Sequence, residues 1–154
     1  MTQSLCCKVL ESLAGKTLVT AESLTGGGIG AALTAVSGSS AVYKGGVISY
    51  TNAVKESILG VPGEILDTYG AVSAQTAAAM VSGVRKLLQA DIAVSVTGLA
   101  GPGGDDFGNP VGTVFIGYED AYKTVVKPCF FTGNREEIRQ QTIQTALALI
   151  LEQN

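Results

Sequence analysis

The chain has 154 residues, 46% hydrophobic and 15% charged, with a formal net charge of −3. This composition excludes a disordered chain, and the length suits one domain, residues 1–154, with its own core. No basic cluster stands out, which argues against a nucleic-acid partner, and no apolar run reaches the ~18 residues of a membrane span.

Residues 2–13 read as an amphipathic helix with Leu5, Val9, Leu10 and Leu13 on one side and Gly15 as the stop. The start lacks the layout of a signal peptide, so the expected location is cytoplasmic. The next stretch, TLVTAESLTGGG at 17–28, reads as strand, tight turn and helix, with apolar positions at Ile29, Leu33 and Val36. Ser23 falls in the turn, beside the unpaired N–H groups of a helix start. Such a place favours a phosphate or an oxyanion, and it equally suits plain capping by Ser23 or Thr25. Residues 43–50 form a strand whose Gly45 and Gly46 suggest a bulge or a close approach. Asn52 is expected to cap a short helix to Leu59, which Gly60-Val61-Pro62-Gly63 ends. Residues 64–72 are ambiguous.

Ser73 caps a helix to about Gln89, with Ala77, Val81, Val84 and Leu88 inward, and a buried strand spans 91–97. The loop from Gly98 to Gly112 carries six glycines and two prolines. Structureless loops of this length in a compact domain are usually functional. Two strands at 113–118 and 123–131 are close enough to pair as an antiparallel hairpin, and Pro128 marks the second as an edge or a bulge. Asn134 and Glu137 form a capping-box start for a helix to about Glu152, with Ile143, Leu147, Ile150 and Leu151 inward. Alternating helices and strands define an α/β fold with helices on both faces of a mixed sheet.

The chemistry is bounded by what is missing. With no histidine, there is no Ser-His-Asp triad, no Cys-His pair and no histidine metal site. Cys6, Cys7 and Cys129 form no metal-binding pair and no disulfide framework. The expectation is therefore no metal and no organic cofactor. Walker and α/β-hydrolase elbow patterns are also absent.

Four places can carry function. They are the turn with Glu22, Ser23 and Thr25; the stretch 49–55 with Tyr50, Asn52 and Lys55; the loop from Thr97 through Gly98, Ala100 and Gly101 to Gly104; and Arg135 with Arg139, four apart on one helix face. A serine nucleophile needs a base. Without histidine the natural candidate is lysine, provided that burial makes it neutral. A neighbouring tyrosine hydroxyl could pass a proton to the leaving group. Taken singly, each residue has a plain structural reading: a half-buried tyrosine, a solvated lysine, a connecting loop, surface arginines in weak ion pairs.

AESLTGG (21–27), GSS (38–40), SYTNAVKESILGV (49–61), GAVSAQTA (70–77), TGLAGPGG (97–104), the strand at 112–115 and FTGNREEIR (131–139) occur in order over nearly the whole chain. In these motifs the sequence resembles the CinA C-terminal domain family, in the stand-alone form that lacks the larger N-terminal domain of full-length CinA proteins. That family includes nicotinamide-nucleotide amidases. The resemblance implies a three-layer α/β/α fold, a homo-oligomer, and hydrolysis of the carboxamide of nicotinamide mononucleotide to nicotinate mononucleotide and ammonia. It implies Ser23 as nucleophile, with Tyr50 and Lys55 as its proton-transfer partners. Many members carry cysteine where this chain has Leu24.

On this reading N–H groups near Thr25, Gly26 and Gly27 would hold the oxyanion. Ser39, Thr97 or an arginine would hold the 5′-phosphate. The rival is a module of the same fold that binds a pyridine nucleotide without hydrolysing it.

Overall fold

The structure, a computed structural model, describes residues 1–154. Six helices flank one five-stranded sheet. In chain order the elements are α1 (Thr2–Ser12), β1 (Leu18–Glu22), α2 (Gly28–Thr34), β2 (Tyr43–Ile48), α3 (Asn52–Ser57), α4 (Gly63–Tyr69), α5 (Ala74–Leu88), β3 (Ile92–Gly98), β4 (Thr113–Glu119), β5 (Thr124–Phe130) and α6 (Arg135–Gln153). The spatial strand order is β2-β1-β3-β4-β5. β1 runs parallel to β2 and β3, while β4 and β5 are antiparallel additions, so the sheet is mixed as expected.

Alternation along the central strands sends side chains to two cores. Leu18, Ile92, Val94 and Val96 join the larger one, beneath α1, α2 and α6. Val19, Ala21 and Ala93 point to the smaller one, with Val61, Leu66, Met80, Val81 and Val84. β1 is buried throughout and β3 is buried up to Thr97, so neither alternates exposed with buried positions, and their polar members Thr20, Glu22, Ser95 and Thr97 are hydrogen-bonded inside. β5 is an edge strand, so Pro128 removes no donor that a further strand would need. The bulge suggested for the glycine-bearing strand is present: register shifts between Leu18 and Val19, where Lys44 is the extra residue of β2.

The helix starts follow the side-chain logic of caps. Ser73 accepts from the Thr76 N–H, and Asn134 forms a complete capping box with Glu137. The cap of α3 differs from expectation. Thr51 holds the extended cap conformation and accepts from the Val54 N–H, so Asn52 becomes the first helical residue. The ambiguous segment is the two-turn helix α4, with Leu66 buried. No helix is long and apolar enough to cross a membrane.

Candidate active site

Ser23 follows the last residue of β1, where the three parallel strands end. Its own N–H donates to Val96 O on β3 (3.1 Å), and the Ser49 N–H donates to Glu22 O (2.8 Å), so both flanking strands fix the turn. α3, the helix after β2, brings Lys55 back over this edge. Lys55 is 1% exposed. Its Nζ lies 3.1 Å from Ser23 Oγ, 2.9 Å from Ser49 O and 3.2 Å from Tyr50 O. Both ion pairs of the protein, Arg85–Glu119 and Arg139–Glu136, lie elsewhere, so no carboxylate holds the Lys55 charge. Burial without a counter-ion pushes its pKa down to about 8. As an ammonium Lys55 donates to all three oxygens; once neutral, it can still satisfy both carbonyls with its two N–H groups and turn its lone pair to the serine hydroxyl.

The turn after Ser23 is clamped from two sides. Glu22, 2% exposed, turns its carboxylate onto the start of α2. It accepts from Thr25 Oγ1 (2.6 Å), the Ile29 N–H (2.8 Å) and the Gly30 N–H (3.0 Å). From α6, Arg139 donates through Nε to Leu24 O (3.0 Å) and through Nη2 to Thr25 O (3.2 Å).

These contacts correct part of the sequence reading. The helix start thought free for an anion is already occupied by Glu22, and the Thr25 hydroxyl is committed to it. The Gly26 N–H donates to Ser23 O (3.1 Å). Thr25, Gly26, Gly27 and Arg139 do not line the cavity; they build the turn. The N–H groups of Leu24, Thr25 and Gly27 have no acceptor in the protein, and of these three residues Leu24 alone lines the cavity.

That cavity, about 580 Å³, lies over the C-terminal ends of β1 and β3 and falls within the ~300–1,000 Å³ usual for small-molecule sites. Ser23, Tyr50, Asn52, Lys55, Thr97, Gly98, Ala100, Gly101 and Arg135, all singled out from sequence, line it. Thr97 Oγ1 donates to Ala71 O (2.7 Å), which commits its proton. Arg135 donates through Nη1 to Gly101 O (2.6 Å) and through Nη2 to the Tyr50 hydroxyl (3.3 Å). The Tyr50 side chain therefore leans toward Arg135, and only its carbonyl meets Lys55.

Ser39 is not at the site. α2 carries the chain back to the opposite sheet edge, and Ser39 lies in the turn that precedes β2. Asp105, Asp106 and Phe107 also line the cavity and were missed. Their sequence signal is slight: they are the only charged or aromatic residues in an otherwise glycine-rich loop. No group of three or more Cys, Asp or Glu side chains is placed to hold a metal ion.

Fold and site together define an α/β domain with a serine–lysine pair at the switch between parallel strands. Residues 3–154 match the CinA C-terminal domain family, and the chain belongs to it. It is 43% identical over 136 residues to a putative competence-damage inducible protein of Desulforudis audaxviator, covering 88% of this chain and 33% of that one. It is 57% identical over 115 residues to a CinA-like protein of Synechococcus sp. CC9311, covering 73% of this chain and 27% of that one. The chain thus spans a minor part of these relatives' length. Two solved structures match it almost end to end. A CinA superfamily protein from Klebsiella pneumoniae superposes with a TM-score of 0.97 at 35% identity, over 99% of this chain and 97% of the other. A competence/damage inducible protein from Agrobacterium tumefaciens gives 0.94 at 39% identity, over 98% and 94%.

Proposed function

We propose that this domain hydrolyses the carboxamide of nicotinamide mononucleotide to nicotinate mononucleotide and ammonia. The observation that carries the reading is the buried Lys55 amine, unpaired with any carboxylate and 3.1 Å from the Ser23 hydroxyl. Neutral Lys55 takes the Ser23 proton as Oγ bonds to the carboxamide carbon. The carbonyl oxygen becomes an oxyanion, for which the Leu24 N–H is the donor. When the C–N bond breaks, Lys55 returns the proton to the departing nitrogen, giving ammonia and a serine ester. Water then attacks the ester, Lys55 accepts its proton, and the proton passes to Ser23 Oγ as the acid leaves.

Arg135 is the cavity's second cation and the partner for the 5′-phosphate, with the Tyr50 hydroxyl beside it. Thr97, its proton committed, and Ser39, on the other sheet edge, do not serve.

Ammonia release from nicotinamide mononucleotide tests the reading, in wild type and in Ser23→Ala. Loss of the nucleophile should cost about 10⁴-fold or more in rate with the fold intact. A folded wild type that releases no ammonia, or an active Ser23→Ala, refutes it.

A further inference from the structure

The long loop supplies two residues that the reaction scheme leaves unused, Asp106 and Phe107. Phe107 lines the cavity on the side of the Gly70–Val72 segment, which leads into α5, whereas Arg135 enters from α6 on the opposite face of the sheet. The ring packs directly on the Gly70 backbone, since a Cβ on Gly70 would lie 2.7 Å from its Cδ2, yet 48% of Phe107 stays exposed. Its backbone is fixed. Asp105 Oδ1 accepts from the N–H groups of Phe107 (3.1 Å) and Asn109 (3.0 Å), and Oδ2 from Asn109 Nδ2 (2.7 Å). Asn109 Nδ2 also reaches Val72 O (3.2 Å), tying the loop to the α5 side. Asp105 is thereby spent on the loop, while the exposed Asp106 carboxylate meets no donor of the protein.

The two sides of the cavity therefore differ in chemistry. One carries a guanidinium. The other carries an aromatic ring and a free, exposed carboxylate, on a loop whose backbone Asp105 and Asn109 order before any ligand arrives. An aromatic face with an adjacent anion attracts a cation more than a neutral group of the same shape. We propose that Phe107, supported by Asp106, is a specificity determinant for a positively charged aromatic ring, so that the site takes an N-substituted pyridinium carboxamide in preference to its uncharged dihydro form. This rests on the amide-hydrolysis reading for the identity of the ring, and it adds the charge selection.

Calorimetry on the Ser23→Ala protein, which leaves the ligand uncleaved, compares nicotinamide mononucleotide with its reduced 1,4-dihydro form. The oxidised form should bind more tightly. Phe107→Leu, which keeps an apolar contact on Gly70, should weaken the oxidised form by about 5- to 30-fold and leave the reduced form unchanged. Asp106→Asn should weaken the oxidised form at low salt and have no effect at high salt. Equal losses for both forms would reduce Phe107 to a wall and overturn the proposal, as would an equal affinity of the parent protein for the two. Ammonia release without charge preference fells this inference alone. Charge preference without ammonia release fells the hydrolytic reading alone. Binding of neither form fells both.

Discussion

Replacing Lys55 by methionine separates the two effects of a buried amine. The folded pKa of about 8 lies below the ordinary lysine value of 10.5, so the folded protein binds fewer protons than the unfolded chain between those values. Stability attributable to Lys55 therefore rises with pH through that window, and the full cost of the buried charge is present below it. At 1.36 kcal/mol per pKa unit, that cost is about 3 kcal/mol at neutral pH. Methionine removes the charge and also the donors to Ser49 O and Tyr50 O, which returns about 1 kcal/mol per bond.

The difference between the two proteins isolates the titration from every other group. Between pH 7 and 9.5 it should move in favour of the wild type by about 2 kcal/mol. Denaturant melts of both proteins at the two pH values measure it. On the reaction side, kcat/KM of the wild type should climb about tenfold per pH unit below ~8 and then level off, as the neutral base fills. Lys55→Arg should be inactive throughout, because guanidinium keeps its proton. A stability difference flat across pH would mean that Lys55 titrates at its ordinary value, and the base assignment would fall with it. An active Lys55→Arg with an altered KM would instead make the residue an anchor for the phosphate.

Two further substitutions test the frame. Glu22→Gln puts an amide where two carboxylate oxygens accept three donors, and it should lower stability by about 1–3 kcal/mol in a denaturant melt; an unchanged midpoint would show that the clamp on α2 is idle. Gly83→Ala places a methyl against Leu59 O. Ordinarily Gly to Ala inside a helix gains about 1 kcal/mol. Here the overlap should reverse the sign and cost about 1–3 kcal/mol, so a stabilised variant would contradict the close packing of α5.

Where a local pattern decides the structure, the sequence was sufficient. The caps at Ser73 and Asn134, the hairpin around residues 119–123 and the bulge beside Gly45 depend on neighbours within a few residues. The turn at Ser23 was visible in its local pattern too, although Val96, Ser49 and Arg139, all distant in sequence, hold it in place. Thr51 and Asn52 show the limit of that locality: both side chains can cap, and backbone conformation chose the first. α4 was ambiguous because two turns are too short to establish a period. Ser39 failed for a topological reason, since a single short helix separates the two edges of a sheet. Glu22 was noticed but given no task. Nothing in its neighbours says that the carboxylate turns inward to accept from Ile29 and Gly30. Tyr50 was placed at the right edge, but its rotamer depends on Arg135, 85 residues away.

The division into two unequal cores has a kinetic side. Ser23 and its clamps belong to the layer of α2 and α6, whose core holds 21 buried residues, whereas Lys55 rides on α3 above a core of 10. Elements with few buried contacts open first in native-state fluctuations. Amides of α3 and of the following turn, where the Val61 N–H donates to Lys55 O, should therefore exchange with solvent faster than those of β1 and β3. Each such opening withdraws the amine while the serine turn stays in place. The protein would thus lose its base before it loses its fold, and inactivation on warming should precede the global transition.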